Sequence, residues 1–166
     1  SNEILSTEKN VIIVEHKLGY ININAGIDRS NISKNKDLVL LLPENPKKSA
    51  NDIQTQINTQ IGKDISVIIT DSMTRPYRSG VTNFAIASSN IQSLIDLKGE
   101  EDIFGNTLHA TEIAIADELA AAAGLLMGQG NDMKPVVIIK GFDRSNYSVN
   151  NAYDLIVNKD EDLYRF

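Results

Sequence analysis

Three short segments of the chain carry oxygen-bearing side chains that could bind a metal ion. Asp28 and Asn31 lie three residues apart in a loop that contains glycine, and Gln129 stands between two glycines. Asp71 and Ser72 follow a run of strand-forming residues. Carboxylate, hydroxyl and amide oxygens are typical ligands of Mg²⁺ or Mn²⁺, which often bridge to nucleotide phosphates. Together the segments predict a metal–phosphate site, although each alone is also typical of a loop turn or a helix terminator.

Two arginines follow Asp71 closely. Arg75 and Arg78 lie in a segment that also contains a proline and a glycine, just after a strand predicted over residues 65–70. Guanidinium groups bind phosphate and carboxylate oxygens through paired hydrogen bonds. We therefore predict that both arginines contact a phosphate or a substrate carboxylate. The alternative is a charged surface turn after a strand.

Several common catalytic patterns are absent from the sequence. Neither G-x-x-x-x-G-K-[ST] nor G-x-G-x-x-G occurs, so the two usual nucleotide-binding loops are excluded. Met73 stands where the aspartate phosphatase signature needs a second aspartate. His16 and His109 are the only histidines, and neither lies in the context of a nucleophile elbow. The sequence therefore favours chemistry based on oxygen ligands, with a histidine-based triad as the open alternative.

Length and charge restrict the class of protein. A chain of 166 residues can bury one hydrophobic core, and a net charge of -6 argues against nucleic acid as a partner. The absence of cysteine excludes disulfides and thiolate metal sites, and it fits a reducing compartment. No apolar run approaches the roughly 20 residues of a membrane span. These features predict a cytoplasmic protein with no membrane partner.

The start of the chain and the pattern of elements predict one domain of a longer protein. The chain begins Ser1-Asn2 without methionine, which is typical of a remnant from tag removal. Strands and helices are mixed without strict alternation, so residues 1–166 predict a single α+β domain with a mixed, largely antiparallel sheet and packed helices. The predicted strands are residues 11–15, 20–24, 37–43, 65–70, 81–87, 136–140 and 155–157. The predicted helices begin at an N-cap at Ser49, with isoleucines on one stripe, and at residue 111, and they end at Gly62 and Met127.

Six segments of the sequence match one protein family in order. They are residues 24–31, 40–46, 69–71 together with 75–80, 102–105, 116–120 and 127–129. Through these segments the chain resembles the coenzyme F-420-0:gamma-glutamyl ligase family. The resemblance extends from about residue 11 to the end of the sequence. The resemblance implies a homodimeric enzyme that uses GTP, or ATP, and two divalent ions, Mg²⁺ or Mn²⁺. Such an enzyme joins L-glutamate to a carboxylate of the deazaflavin coenzyme precursor through an acyl phosphate.

The resemblance also implies roles for individual residues. Asp28 and Asp71 stand where family members bind one metal ion, and Ser72 and Gln129 stand where they bind a second. Asn31 stands at a nucleotide-binding position. The remaining nucleotide-binding positions are Met127, Gly128, Gln129, Gly130, Asn131, Asp132, Met133 and Lys134.

The chain departs from the family pattern without losing an implied metal ligand, since Ser72 replaces the usual threonine and keeps its hydroxyl. Family members usually have other residues at Leu18, Asn22, Met73, Thr74, Tyr77 and Ser88. We expect these changes to touch the substrate surface, which leaves a folate-type pterin open as the acceptor. Family members also carry a further segment of domain size before this one. A third possibility is therefore a fragment or homologue that binds ligand or dimerises without catalysis.

Overall fold

A computed structural model describes residues 3–34, 37–143 and 148–164, so the predicted tag remnant Ser1-Asn2 lies outside the described residues. The described residues form seven strands and two α-helices, together with short 3-10 helices. The strands are β1 (Glu3–Ser6), β2 (Ile13–Glu15), β3 (Ile21–Ile23), β4 (Val67–Arg75), β5 (Arg78–Ser89), β6 (Ile95–Asp96) and β7 (Glu112–Ile113). The helices are α1 (Pro46–Ile61) and α2 (Ile115–Met127).

The fold is α+β, as predicted, but the strands form three small sheets. Their orders are β1-β2-β3, β4-β5 and β6-β7, and each strand pair within the described ranges is antiparallel. The predicted antiparallel pairing is thus confirmed, but it is divided among three sheets instead of one. No helix in the described part of the chain has the length and apolar character needed to cross a bilayer.

The first sheet confirms the two strands predicted at residues 11–15 and 20–24, in shorter form. β2 and β3 pair across the turn at residues 17–19, where the backbone N–H of His16 donates to the carbonyl of Tyr20 at 2.8 Å. The predicted orientation of β3 is reversed. Asn22 is only 5% exposed, whereas Ile21 and Ile23 are half-buried. A polar residue occupies the inner face because its amide reaches another strand, as described below.

Helix α1 begins earlier than predicted. Asn45 is its N-cap, since its side-chain oxygen accepts from the backbone N–H of Lys48 at 2.9 Å, and Pro46 occupies the first helical turn. Ser49 lies inside that turn and donates its hydroxyl to the Asn45 carbonyl at 3.2 Å. The helix ends at Gly62, as predicted, with a left-handed φ of 63°. The buried residues of α1 are Pro46 and Ala50, so the predicted isoleucine stripe is largely exposed.

The hairpin of β4 and β5 is the centre of the fold. The predicted strands at 65–70 and 81–87 are confirmed, but both continue to a turn between Arg75 and Arg78. Two register shifts interrupt the pairing, one at Ile69/Thr70 and one at Met73/Arg75. Both α-helices pack against β5. The second half of β5 is therefore buried on both faces, which explains its unbroken run of buried residues.

Three apolar segments do not form the predicted elements. Residues 37–43 make only one bridge, between Asp28 and Leu40, and Leu41 is 65% exposed. Residues 136–140 are mostly exposed and form no strand, and the segment at 155–157 begins at the last residue of a 3-10 helix, Ala152–Leu155. Residues 111–114, predicted as helix, belong partly to β7. The three apolar segments, 37–43, 136–140 and 155–157, form no strand among the described residues, and the bridge at Leu40 is not extended.

The segment near residue 150 completes the core. Ala152 packs in one buried cluster with Ala85 of β5 and Ala116 of α2. The Ser88 hydroxyl accepts from the backbone N–H of Ala152 at 2.9 Å, and the Asn151 amide donates to the Ser88 carbonyl at 2.9 Å. The late part of the chain is therefore hydrogen-bonded directly to the central hairpin.

Candidate metal and nucleotide site

One cavity brings together three segments that are far apart in the sequence. It has a volume of about 410 Å³ and lies between the end of β3 with its following loop, the outer half of β4 and the residues after α2. Asp28, Asn31, Asp71, Ser72 and Gln129 all line it, together with Gly128 and Gly130. The main residues predicted to bind metal thus meet at one place.

Asp71 lies within β4 and not at a strand exit, because the strand continues to Arg75. Its Oδ2 accepts from the Asn22 amide at 3.3 Å, and its Oδ1 accepts from the Ser72 backbone N–H at 2.7 Å. Burial raises the pKa of the Asp71 carboxyl, the two hydrogen bonds lower it, and the nearby charge of Asp28 raises it further. On balance the pKa of Asp71 is raised, because the carboxylate lies where its charge is poorly solvated.

Asp28 is fixed by its own loop. Its Oδ1 accepts from both the backbone N–H and the hydroxyl of Ser30, at 2.8 and 2.7 Å. The hydroxyl bond is the main reason that the pKa of Asp28 is lowered, so this group stays ionised. Its backbone bridges Leu40 through two hydrogen bonds. The loop therefore presents a charged carboxylate toward the same cavity as Asp71.

The donor set of the cavity fits a hard divalent cation. Two carboxylates repel one another across it, and a bound cation would relieve that repulsion. The Ser72 hydroxyl and the Gln129 amide supply further oxygens of the kind that Mg²⁺ and Mn²⁺ prefer. No cluster of three histidine, cysteine, aspartate or glutamate residues occurs in the described ranges, so a metal ion would depend on these neutral oxygens as well.

Gln129 follows α2 in a backbone shape that requires glycine. Gly128 has φ 75° and ψ 176°, a region that other residues avoid, and a Cβ there would lie 1.9 Å from Oδ2 of Asp132. The Gln129 side chain donates through Nε2 to Oδ1 of Asn83 at 2.6 Å. The Asn31 amide donates to the Gly130 carbonyl at 2.8 Å. The loop after β3 and the loop after α2 are thus joined at the cavity.

Several predicted site residues lie outside the cavity lining. Arg75 donates through Nη2 to the Ser79 carbonyl at 3.4 Å, and Arg78 is exposed on the same hairpin turn. Met127 lies beneath the cavity, in contact with Asn83. The segment that follows Gly130 is not part of the lining. It consists of Asn131, Asp132, Met133 and Lys134, all exposed, with Met133 at 92%.

The departures from the family pattern do not share one location. Asn22, Met73 and Thr74 line the cavity, as expected for a substrate surface. Ser88 is 1% exposed and belongs to the core network, so the expectation that it touches substrate is wrong. Tyr77 is at the tip of the hairpin, 88% exposed. Departures at the cavity are therefore fewer than predicted.

The sequence did not predict the contacts that two asparagines make at the site. Asn22 was noted as a departure from the family pattern but was assigned to the outer face of β3, and Asn83 was not singled out at all. A signal for Asn83 exists in Gly124, the one glycine within α2, because a glycine inside a helix often marks a close approach by another group. A Cβ at Gly124 would lie 2.7 Å from Cγ of Asn83.

The fold and the cavity define an α+β protein with a site rich in oxygen ligands. The chain belongs to the F420-0:Gamma-glutamyl ligase family, since the sequence model of that family matches residues 1–141. The resemblance drawn from the sequence is thereby confirmed.

The curated relatives agree with the family. The chain is 45% identical over 167 residues to the coenzyme F420:L-glutamate ligase of Methanocaldococcus jannaschii. The aligned region covers 99% of this chain and 65% of that protein. The protein of the same name from Methanococcus maripaludis is 45% identical over 165 residues, with the same shares covered. That from Methanosarcina barkeri is 44% identical over 143 residues, or 86% of this chain and 55% of that protein. The chain thus spans 65% or less of the length of these relatives.

Proposed function

We propose that residues 1–166 are one α+β domain of a longer protein that joins L-glutamate to a coenzyme F420 precursor. The names of the relatives support the reaction, and their greater length supports the longer protein. The observation that carries the proposal is the meeting of Asp28, Asp71 and Gln129 at one cavity, because that is where an oxygen-ligated metal ion and a nucleotide phosphate would be bound.

The proposed division of ligands follows the family resemblance, and the four residues concerned line one cavity. Asp28 and Asp71 hold one divalent ion, Mg²⁺ or Mn²⁺, and Ser72 and Gln129 hold a second. When bound, these ions neutralise the phosphate charges of the nucleotide and the charge that develops during transfer. The two carboxylates repel one another without a cation, which supports their pairing on one ion.

The nucleotide, GTP or ATP, is proposed to lie along the loop after α2. Asn31 positions that loop through the Gly130 carbonyl, and Gly128 and Gly130 allow its backbone to approach a phosphate closely. The residues that continue this segment, up to Lys134, are exposed and free to contact the base or ribose. Arg75 and Arg78 are proposed at the rim, where they would bind a phosphate or a substrate carboxylate.

The proposed reaction has two steps. A carboxylate oxygen of the acceptor attacks the terminal phosphorus of the nucleotide, which releases the nucleoside diphosphate and leaves an acyl phosphate. The amino group of L-glutamate, after losing a proton, attacks the acyl carbon, and inorganic phosphate leaves as the amide forms. The role of the cavity in both steps is to hold the groups in line and to exclude water.

A homodimer is proposed as the working assembly. Most apolar side chains of residues 38–41 and 136–139, two segments that form no strand in the described chain, are exposed. Exposed apolar surface of this extent usually marks an interface. A second copy or the remainder of the longer protein would cover it, and light scattering on the full-length protein distinguishes monomer from dimer.

A folate-type acceptor and a non-catalytic role are weaker candidates. No feature of the cavity favours a pterin, and the relatives' names specify coenzyme F420. The shared cavity argues against a degenerate homologue.

The test is a titration of GTP, with and without Mn²⁺, into this chain and into the full-length protein. Metal-dependent binding that is stronger in the full-length protein supports the proposal, and amide formation is then assayed with the coenzyme F420 precursor and with a folate. Absence of binding by both proteins refutes it.

A further inference from the structure

Asn83 lies directly behind Gln129. It belongs to β5 and is 8% exposed. Its Oδ1 accepts from Gln129 Nε2 at 2.6 Å, and its Nδ2 points toward the Thr70 hydroxyl at 3.4 Å and the Met127 sulfur at 4.0 Å. Asn83 is thus the group through which Gln129 is attached to the central hairpin.

The contacts of Asn83 fix which end of each amide faces which neighbour. A thioether sulfur accepts a hydrogen bond but cannot donate one, so the amide nitrogen of Asn83 must face Met127. Its oxygen then faces Gln129, and only the nitrogen of the Gln129 amide can satisfy it. The Gln129 oxygen is consequently directed to the other side of its amide group.

The direction of that oxygen matters for metal binding. Hard divalent cations bind amide groups through the carbonyl oxygen and not through the nitrogen. A Gln129 amide turned by half a rotation would present N–H groups to a cation and would repel it.

We propose that Asn83 is a positioning residue that orients the Gln129 amide so that its oxygen faces the metal ion. The proposal rests on the proposed function, in which Gln129 is a ligand of a divalent cation. Asn83 acts through Gln129 and does not itself line the cavity.

Gly124 of α2 makes room for this arrangement. A Cβ at Gly124 would lie 2.7 Å from both Cγ and Oδ1 of Asn83. At that distance the Asn83 side chain could not keep its present position. Glycine inside a helix is less stable than alanine. Gly124 therefore lowers the stability of α2 but leaves the space that Asn83 occupies.

The test combines Asn83→Leu with Gln129→Glu and measures Mn²⁺ affinity by the electron paramagnetic resonance signal of free Mn²⁺. Leucine is close in shape to asparagine but cannot accept a hydrogen bond. In the wild-type background, Asn83→Leu is expected to lower Mn²⁺ affinity about 10–100-fold, the usual effect of losing a group that orients a ligand. In the Gln129→Glu background it is expected to change little, since both ends of a carboxylate are oxygens.

The controls distinguish the possible failures. Asn83→Asp keeps the acceptor for Gln129 and is expected to retain most of the affinity. An equal loss from Asn83→Leu in both backgrounds, or no loss in either, refutes the role of Asn83 while wild-type Mn²⁺ binding still stands. If the wild type binds no Mn²⁺, the proposed function fails and the inference with it. Should Asn83→Leu not fold, as judged by circular dichroism, Asn83→Ala is compared in the same two backgrounds.

Discussion

The amide nitrogen of Asn22 donates to Oδ2 of Asp71 at 3.3 Å and so joins the first sheet to the central hairpin. Asn22 is buried, and its Oδ1 has no hydrogen-bond partner among the residues that the structure describes. A buried amide that uses only its donor side is costly for folding. The contact therefore supports a role at the cavity, where Asn22 holds one oxygen of Asp71 in place.

Asp71→Asn is expected to abolish Mn²⁺-dependent GTP binding without loss of stability. The substitution removes a charge that burial and Asp28 both disfavour, so the free energy of unfolding should stay equal or rise. The loss of metal affinity should exceed the roughly 10–100-fold typical of an outer-shell partner. Calorimetry measures the binding and urea unfolding measures the stability.

Asp52→Asn is the matched control for this prediction. Asp52 is exposed on α1, where it pairs with Lys48, and it does not line the cavity. Its substitution should leave GTP binding unchanged. A wild type that binds no metal, combined with an Asp71→Asn variant that unfolds, would mean that Asp71 has a structural role instead.

Gly128→Ala is expected to destabilise the protein by about 1–3 kcal/mol, because alanine must adopt a backbone conformation that is nearly restricted to glycine. The new Cβ would also displace the Asp132 carboxylate. GTP binding should weaken because the loop that carries Gln129 shifts. Thermal unfolding and GTP titration measure the two effects.

Gly130→Ala is the control for Gly128, since it changes the same loop. Gly130 has no positive φ, and a Cβ there would approach Asp132 no closer than 3.9 Å. The free energy of unfolding of the Gly130→Ala variant should therefore differ little from that of the wild type. Equal destabilisation by both substitutions would argue that the loop tolerates neither methyl group for some reason other than the φ of Gly128.

Asp117→Asn is expected to have an effect on stability that depends on pH. The Asp117 carboxyl accepts from the backbone N–H of Ala85 at 2.8 Å, but burial is the larger influence and raises its pKa above 3.8. The folded state therefore holds the proton more tightly than the unfolded state. The carboxyl destabilises the wild type progressively as the pH rises from about 3.8 to the raised pKa. Relative to the wild type, the variant should gain stability across that window and then remain level.

Asp102→Asn should show the opposite sign. Hydrogen bonds from Asn106 and from the backbone of Phe104 lower the pKa of Asp102. Its contribution to stability is present above 3.8 and is lost as the pH falls through the lowered pKa. Urea unfolding of both variants and the wild type, without divalent metal and at several pH values, tests the pair. Parallel curves for all three proteins would contradict both assignments.

Arg78→Ala is expected to weaken GTP binding several-fold at low ionic strength and less at high salt, because an exposed guanidinium acts mainly through a screened charge. Arg75→Ala should have a larger effect, since its Nε is buried with no partner in the described residues. Lys63→Ala, at an exposed position after α1, is the control for net charge. If all three variants bind GTP equally, the arginines belong to the hairpin surface alone.

The sequence predicted features that depend on the chemistry of a residue and its neighbours in the chain. It predicted less well the strands and buried faces that depend on contact with a distant segment. Residue type and sequence context predicted Asp28, Asp71 and Gln129 as site residues, and the structure places all three at one cavity. The position of Asn45 before Pro46 was a readable N-cap signal, but Ser49 was preferred. The apolar runs at residues 38–41 and 136–139 indicated strands, yet a strand forms only where another strand supplies hydrogen bonds. The buried face of β3 was misassigned because Asn22 is buried by its bond to Asp71, a contact that a pattern of alternation does not encode.

The attachment of Ala152 to Ser88 and to the alanine cluster has a consequence for synthesis on the ribosome. The hairpin of β4 and β5 is translated early, but the buried face that it shares with Ala116 is not closed until Ala152 arrives. The central hairpin therefore cannot complete its buried face until residue 152 has left the exit tunnel, about 60 residues after the end of β5 has been synthesised.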